Sequence, residues 1–459
     1  MAKRREVGRR RAGFPAARPA DAGLSEKRLR RFRRALRRET GELGSLPGAA
    51  HVLLRNGRCV FACADGVSGA TAGSAPFRLD TMCALHGASK PLMVAALLTL
   101  VDEGKIRLSD PVAKHMEFPE VVRLRPRGAA KFVKASPRPT ILHLLSMTCT
   151  MNDSVALKRA KNGSARDLAG FSKALTKAPL LAQPGSRYEY GFAVEVLGRL
   201  CEVVSGQRLE DFLDERLLRP LGMRDTHLVL PTSKRSRTAT LCEAFERSGT
   251  HRAGTAAYRI CRWRHPERAP GIASPGGGIL SYHDAGMYST AKDYARFCQM
   301  ILDDGVAPGG ARILRSASVR ALWRDGLAPY AGRTGRVAGW SDSPEPEWAS
   351  SVLNQQASGF WDRNSWSILN THLVFDAAPR KGQTRKAHTM WMGGGAGAFW
   401  VVDRKRKLVA VSMAQCFGGR VVGVADAADA DGAALDCIER PLGRDVTPTA
   451  VAACDDGAD

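Results

Sequence analysis

The segment PLMVAALLTLV (91–101) carries no charged residue, and it limits how the whole chain can fold. A helix of about three turns without a polar face must be covered by other elements on every side. Gly104 ends the pattern, as glycine commonly ends helices. Lys90 stands directly before the apolar run. The sequence therefore predicts a central buried helix that carries a lysine at its buried start.

Strands are predicted near both ends of the chain. Residues 49–66 contain two apolar runs around Asn56-Gly57, a dipeptide that favours a tight β-hairpin. Residues 392–415 have the pattern of two strands joined by a turn at 403–407, whereas 340–387 show no regular pattern. Helical patterns occupy 24–39, 91–104, 140–147, 194–206, 211–223 and 289–302. We therefore predict an α+β fold, in which an antiparallel sheet built from both chain ends is flanked by helices, with a helical subdomain inserted.

The charge of the chain is strongly basic. It has 69 Lys and Arg residues against 45 Asp and Glu residues, a net charge of +24. Residues 1–38 hold fifteen of the basic and three of the acidic residues, which is +12 of that excess. Such a surplus indicates a polyanionic partner within a larger assembly, with RNA preferred and an anionic membrane surface second. An arginine-rich genome is the alternative explanation.

Two segments concentrate this charge. In 24–39, Leu29, Phe32 and Leu36 form one apolar stripe and arginine fills the remaining faces. Residues 231–270 hold nine basic and three acidic residues and are interpreted as a basic insertion with aromatic side chains. The candidate nucleic-acid-binding residues are Arg28, Arg30, Arg31, Arg33, Arg34, Arg37, Arg38, Tyr258, Arg262, Trp263 and Arg264.

The two ends of the chain suggest further segments and a compartment. Residues 1–20 are a basic extension without the apolar core of a secretory signal, and their arginine-rich composition is typical of an organelle transit peptide or of a basic arm that wraps a partner. Residues 421–459 are an Ala/Asp-rich tail. No run of eighteen apolar residues predicts a membrane span. The eleven cysteines lack CxxC spacing and the ten histidines lack metal-ligand spacing, so neither a metal nor a cofactor is predicted.

Five segments, taken in order, resemble one enzyme family. They are DTMCALHGASK (80–90), PGSRYEYGFAVEVLGRLCEVVSG (184–206), PLGMRDT (220–226), GGGILSYHDAGMYSTAKDYARF (276–297) and MGGGAGAFWVVDR (392–404). Together they resemble the serine β-lactamase and penicillin-binding-protein-like family, especially its class C-like branch of esterases and β-lactamase-related proteins. The resemblance covers roughly residues 21–420 and implies a single domain with the β-lactamase/transpeptidase-like fold, which contains the insertion 231–270.

The resemblance also implies where the catalytic groups belong. In this family a serine attacks a carbonyl, a lysine three residues later and a separate tyrosine help to remove its proton, and two backbone N–H groups stabilise the oxyanion. The matching positions here are Gly87, Lys90, Tyr190 and Gly395. The nucleophile is therefore replaced by glycine. Ser89 lies about 200° farther around a helix and is expected to face away from the pocket.

The missing serine leads to two functional hypotheses. The first is a catalytically inactive pseudoenzyme that serves as a structural or binding subunit of a larger assembly, possibly an organelle ribonucleoprotein. Its pocket could still hold a small molecule through Lys90 and the backbone N–H groups of Gly87 and Gly395. Other departures from the family point the same way, at Gly191, Ala398 and 147–151. The alternative is a residual β-lactamase or esterase activity on an ester or amide, for example with His86 as a base for water.

Overall fold

The computed structural model describes residues 10–42, 44–71, 73–124, 131–151, 167–189, 191–246, 258–262, 286–330, 364–375 and 387–417. The strands are β1 (Arg10–Arg11), β2 (Phe14–Pro15), β3 (Gly48–Arg55), β4 (Arg58–Gly66), β5 (Cys83–Ala84), β6 (Val121–Leu124), β7 (Lys131–Lys134), β8 (Cys242–Glu246), β9 (Tyr258–Arg262), β10 (Tyr288–Ser289), β11 (Asn364–Trp366), β12 (His372–Phe375), β13 (Ala387–Gly393), β14 (Phe399–Asp403), β15 (Leu408–Ala414) and β16 (Cys416–Phe417).

The α-helices are α1 (Glu26–Arg37), α2 (Ser89–Asp102), α3 (Ile141–Leu145), α4 (Leu168–Thr176), α5 (Ala193–Ser205), α6 (Leu209–Leu213), α7 (Arg219–Leu221), α8 (Ala291–Leu302) and α9 (Ser316–Leu322). A π-helical turn at Asp214–Leu218 joins α6 to α7, so the helix predicted at 211–223 is present but irregular. None of the helices in these described parts of the chain combines the length and the apolar character needed to cross a bilayer.

A seven-stranded antiparallel sheet forms the centre of the molecule, in the order β11-β12-β13-β14-β15-β3-β4. β15 lies beside β3 with Val411 opposite Val52, which joins the C-terminal strands to the N-terminal hairpin. Asn56 and Gly57 both have positive φ in the β3–β4 turn, as a two-residue hairpin loop requires. The α+β fold and the sheet built from both chain ends are confirmed.

The two faces of the sheet carry different layers. Alternate residues of β3 point in opposite directions, so Val52 joins the core with α2 and α8 whereas Leu53 joins the core with α1. Helix α2 is buried for twelve of its fourteen residues, as its apolar sequence predicts. Helix α1 buries only Leu29, Phe32 and Leu36.

Two sequence interpretations need correction. Residues 340–387 are not wholly irregular, because β11 and β12 extend the main sheet. Each strand is only three or four residues long, too short for a clear period-two pattern. Within 231–270, β8 and β9 form a hairpin that pairs with β16 in parallel, so this segment is joined to the C-terminal part of the fold.

Candidate functional site

The turn that precedes α2 is held in place by backbone and side-chain contacts. The Leu85 N–H donates to the Met287 carbonyl at 2.7 Å, and the Met287 N–H donates to the Ser89 hydroxyl at 2.9 Å. The Tyr294 hydroxyl donates to the Ala88 carbonyl at 2.7 Å. Ser89 is fully buried and serves this contact, so the prediction that it faces away from the pocket agrees with its structural role.

Gly87 lies in a short 3-10 turn, His86–Ala88, immediately before α2. All three residues of the turn are buried, and His86 has a φ of +46°. A residue other than glycine pays a steric cost in this left-handed region, and such strained positions cluster at functional sites. The turn before α2 is therefore strained at His86, directly beside Gly87.

Lys90 lies three residues after Gly87 and is only 1% exposed. That spacing turns the helix by about 300°, which brings Lys90 and Gly87 to neighbouring positions on one side. Lys90 is engaged in an interaction within the protein. Its side chain therefore does not reach solvent at the helix start, and the buried lysine that the sequence predicts is confirmed.

A glycine turn after β13 closes against the same region. A Cβ at Gly394 would overlap the carbonyl oxygen of Leu85, so only glycine permits this backbone approach. The turn is fixed by the Gly394 N–H, which donates to the Ala398 carbonyl at 2.6 Å, and by the Gly397 N–H, which donates to the Gly394 carbonyl at 2.9 Å. Gly395 is consequently held next to the strand that leads into Gly87.

The N–H groups of Gly87 and Gly395 are available as donors. Within the described ranges, neither of them donates a hydrogen bond to another part of the protein. Buried N–H groups are usually satisfied, and unsatisfied ones need an explanation. This argument applies to buried Gly87, whereas Gly395 is half-buried. Together with the buried lysine, the two N–H groups form an arrangement suited to a carbonyl or carboxylate oxygen.

Tyr190 lies outside the described residues, and the segment before it is placed by residues 147–149. The Glu189 N–H donates to the Met147 carbonyl at 2.8 Å, and the Tyr188 hydroxyl lies 3.9 Å from the Met147 sulfur. Met147 has a φ of +54°. The 147–151 element, which departs from the family in sequence, therefore still supports the loop that carries Tyr190.

Sequence reasoning missed a phenol next to this element. The Tyr330 ring lies 5.1 Å from the His143 ring, and its phenol is close to the side chains of Ser146 and Thr148. Burial raises the pKa of the Tyr330 phenol, so it stays protonated at neutral pH. No motif contains Tyr330, and only the contact across the fold identifies it.

The histidine positions differ in their relation to the site. His86 is 2% exposed and adjoins Gly87. His388 lies at the opposite end of β13 from Gly393, and its Nδ1 contacts the Thr389 hydroxyl at 2.7 Å. His388 is thus remote from the glycine turn. In the part of the chain that the structure describes, no cluster of His, Cys, Asp or Glu could hold a metal ion.

The candidate nucleic-acid-binding residues fall into two separate places. The seven arginines of the N-terminal set lie on α1 or directly after it, and all except half-buried Arg28 are exposed. Arg33 and Arg37 pair with Asp65 at 3.7 and 3.2 Å. Arg30 pairs with Glu26 at 3.4 Å. The remaining candidates belong to the 231–270 segment: Tyr258 and exposed Arg262 are in β9, whereas Trp263 and Arg264 lie outside the described residues.

The 231–270 segment uses part of its charge within the fold. Lys234 and Arg237 both pair with Asp225, and the Lys234 contact is 2.9 Å. These ion pairs hold the pKa of Asp225 at about 2, with the Arg237 hydrogen bond as the main cause. Two of the nine basic residues of this segment therefore form ion pairs within the protein itself.

Comparison with known proteins matches these features to one family. The model of the family described as Beta-lactamase matches residues 33–434. Esterase EstB of Burkholderia gladioli is 30% identical over 382 residues, covering 78% of this chain and 83% of the esterase. Protein Rv1367c of Mycobacterium tuberculosis is 31% identical over 303 residues, covering 63% of this chain and 70% of that protein.

The fold agrees with solved structures as well. Simvastatin synthase (LovD) from Aspergillus terreus superposes with a TM-score of 0.62 at 18% identity, covering 85% of this chain and 94% of the synthase. EstCE1, a hydrolase with promiscuous acyltransferase activity, gives a TM-score of 0.59 at 20% identity, with coverage of 85% and 94%. Since the family model spans most of the chain and the sheet and helices agree with it, this chain belongs to the β-lactamase family.

Proposed function

We propose that this chain is a catalytically inactive member of its family that binds a ligand bearing a carboxylate or carbonyl group and does not turn it over. The observation that carries the proposal is Gly87, at the position that the motif resemblance assigns to the family's nucleophilic serine. Glycine offers no atom that could form an acyl-enzyme bond. The neighbouring hydroxyl of Ser89 accepts a hydrogen bond from Met287 and is fully buried, so it does not substitute.

Binding is supported by the groups that remain around Gly87. The N–H groups of Gly87 and Gly395 donate to no other described residue, and Lys90 is buried three positions after Gly87. Backbone N–H donors and an amine are the groups that recognise an oxygen with negative charge. Such a site favours a carboxylate over the matching neutral amide.

Calorimetric titration with phenylacetate and with its neutral amide, phenylacetamide, tests the binding. We expect phenylacetate to bind more tightly, and Lys90→Met to weaken phenylacetate binding by about tenfold, equivalent to about 1.4 kcal/mol. Lys173→Met, at an exposed position on α4, is the control and should leave binding unchanged. Equal affinity for acid and amide, or no loss on Lys90→Met, would contradict a carboxylate site.

A residual hydrolase is the second candidate, because the two free N–H donors also suit an oxyanion. Hydrolysis of 4-nitrophenyl butyrate separates the two functions. The pseudoenzyme predicts the same slow rate for the wild type, for Lys90→Met and for the uncatalysed reaction in buffer. Turnover that disappears on Lys90→Met while Lys173→Met retains it would establish the hydrolase.

As a binding subunit, the chain is proposed to belong to a larger assembly in an organelle, as its basic first residues suggest, and the family resemblance makes mitochondria the organelle proposed. Sedimentation of the endogenous protein from lysate, with and without ribonuclease, tests this part. A large particle that collapses on RNA digestion supports a ribonucleoprotein. A small species under both conditions would remove the assembly role and leave the pocket as the function.

A further inference from the structure

We propose that the outer face of α1 binds the phosphodiester backbone of a nucleic acid. This face carries a line of four cations, the basic stripe, formed by Lys27, Arg31, Arg34 and Arg38. All four side chains are exposed. The inference concerns a surface separate from the pocket, so it stands whether or not the pocket binds a ligand.

The packing of α1 fixes where the basic stripe points. Leu29, Phe32 and Leu36 are buried in the core under the sheet, and the Phe32 ring lies 5.8 Å from the ring of Phe61 in β4. At about 100° per residue, the centre of the stripe lies roughly 160° around the helix from this buried face. The cations therefore point directly away from the sheet, along a line of about 16 Å.

Arg31 takes part in an interaction within the protein, whereas the charges of the other three stripe residues are not neutralised by an ion pair in the described parts of the fold. Asp65 pairs with Arg33 and Arg37, and Glu26 pairs with Arg30, but these three arginines lie beside the stripe. Within the described residues, Lys27, Arg34 and Arg38 take part in no ion pair.

Neighbouring cations of the stripe repel one another along the helix. Like charges three or four positions apart, such as Arg34 and Arg38, destabilise a helix by a few tenths of a kcal/mol per pair. Lys27 in the first turn also opposes the helix dipole. Arg34 and Arg38 stand at the C-terminal end of α1, where the helix dipole favours a cation, so this repulsion is partly offset within the helix. An external anion would offset the rest.

The chemistry of the surface favours nucleic acid over a membrane. A helix that binds a bilayer inserts its apolar face, whereas the apolar face of α1 is already buried against the sheet. The exposed large apolar residues of the described chain all lie elsewhere, at Val67, Val121, Phe132, Val203 and Val229. Three of the four cations are arginines, whose planar guanidinium group can donate two parallel hydrogen bonds to a phosphate. A straight row of such groups suits a linear chain of phosphates.

Contacts to phosphates alone predict a particular kind of binding. The affinity should not depend on base sequence and should fall steeply with salt. For a single strand, each neutralised phosphate contributes about 0.7 to the slope of log K against log salt. Removing three cations of the stripe should therefore lower the magnitude of that slope by about 2.

Fluorescence anisotropy of the full chain with labelled poly(U) RNA and poly(dT) DNA of equal length tests the proposal. The stripe variant is Lys27→Gln, Arg34→Gln, Arg38→Gln. The control variant removes three exposed arginines elsewhere, Arg235→Gln, Arg320→Gln, Arg324→Gln, so that both variants have the same net charge. Circular dichroism melting confirms that each variant is folded.

We expect the wild type and the control variant to bind, and the stripe variant to lose at least about tenfold in affinity at moderate salt. Binding of both polymers identifies the shared phosphate backbone, and preference for one of them identifies the nucleic acid. An equal loss of affinity in both variants would show that the effect comes from net charge alone, and it would overturn the proposal. Binding only to vesicles containing anionic lipid, with neither polymer bound, would assign the surface to a membrane and also overturn it.

Discussion

Helices α1 and α2 lie against opposite faces of the same sheet and differ in how much of their surface is buried. α2 is buried for twelve of its fourteen residues, including Lys90, whereas α1 buries only three apolar residues and exposes a row of cations. In α2 the packing tolerates little change, and the turn that precedes it holds Gly87 at the position that the family resemblance assigns to the nucleophile. In α1 the packing uses one face and leaves the remaining residues unconstrained by the core.

In both regions, the contacts that fix the fold are made by other groups than those proposed to bind a ligand. The turn before α2 is positioned by contacts that do not involve a side chain at Gly87, namely the hydrogen bonds of Leu85, Ala88 and Ser89 and the close approach of Gly394. The backbone shape of this turn therefore does not depend on a side chain at Gly87. On α1, by contrast, Lys27, Arg34 and Arg38 are exposed cations that make no ion pair within the described residues.

The largest expected effect comes from the core around α2. Leu97→Ala removes a fully buried side chain, and we expect the free energy of unfolding to fall by about 3–4 kcal/mol. Leu36→Ala, on the buried face of α1, should cost a comparable amount. The control is Val203→Ala, at a position 40% exposed on α5, with a change below about 0.5 kcal/mol. Urea denaturation measures all three, and a negligible cost for Leu36→Ala would show that α1 is not anchored as described.

The next effect concerns the glycine turn. Gly394→Ala places a methyl group into the carbonyl of Leu85, so we expect a loss of about 2–3 kcal/mol in stability together with loss of phenylacetate binding. Gly309→Ala is the matched control, because no atom lies within 4 Å of the position of its Cβ. Equal melting temperatures of the two variants would refute the close contact between the turn and Leu85.

Below α1, a buried histidine should make stability depend on pH. His51 lies against Phe32 at 4.9 Å between ring centroids, and burial lowers its pKa from 6.5 to about 3. The unfolded chain therefore binds a proton that the folded chain does not bind as the pH falls from 6.5 towards 3, and stability is lost in that window. His51→Gln should reduce the slope of unfolding free energy against pH by up to about 1.4 kcal/mol per pH unit.

Other buried histidines remain in that variant and serve as the internal reference. Burial also lowers the pKa of His372 to about 3 and that of His143 to about 4. The wild-type slope should therefore be steeper than that of His51→Gln, and both should vanish above pH 7. Parallel curves for the two proteins between pH 6.5 and 5 would show that His51 is protonated in the folded state.

The smallest effect is expected at the start of α1. The Ser25 hydroxyl accepts a hydrogen bond from the Arg28 N–H at 3.2 Å and caps the helix, so Ser25→Ala should cost about 1 kcal/mol. Ser25→Asp restores an acceptor and should recover that loss. Chemical denaturation monitored by circular dichroism measures the change. A loss as large as that of Leu36→Ala would mean that capping, and not packing, holds α1 in place.

Local sequence patterns predicted those helices and hairpins whose signal lies within their own residues. The stripe of Leu29, Phe32 and Leu36 predicted α1 with its Ser25 cap, and Asn56-Gly57 predicted the β3–β4 hairpin. The apolar run after Lys90 predicted a buried helix for the same reason. In each case the period of the apolar residues and the turn chemistry agree with the final packing.

Features that depend on contacts between distant segments were not predictable in this way. The overlap that requires glycine at 394 depends on Leu85, about 300 residues earlier in the chain. The pairing of β8 with β16 and the position of Tyr330 beside Ser146 are contacts of the same kind. The positions of Gly87, Lys90 and Gly395 were identified by family resemblance, and the structure shows that the segments holding them meet. Tyr190, Trp263 and Arg264 stay predictions.

The absence of a nucleophile is tested most directly by intact-protein mass spectrometry after incubation with benzylpenicillin. A family member that retains the serine, treated in parallel, shows that the reagent acylates. For this chain the account predicts an unchanged mass, because neither Gly87 nor the buried Ser89 can form the acyl bond. A stoichiometric penicilloyl adduct on any residue of the segment 83–92 or of the loop around Tyr190 would contradict it.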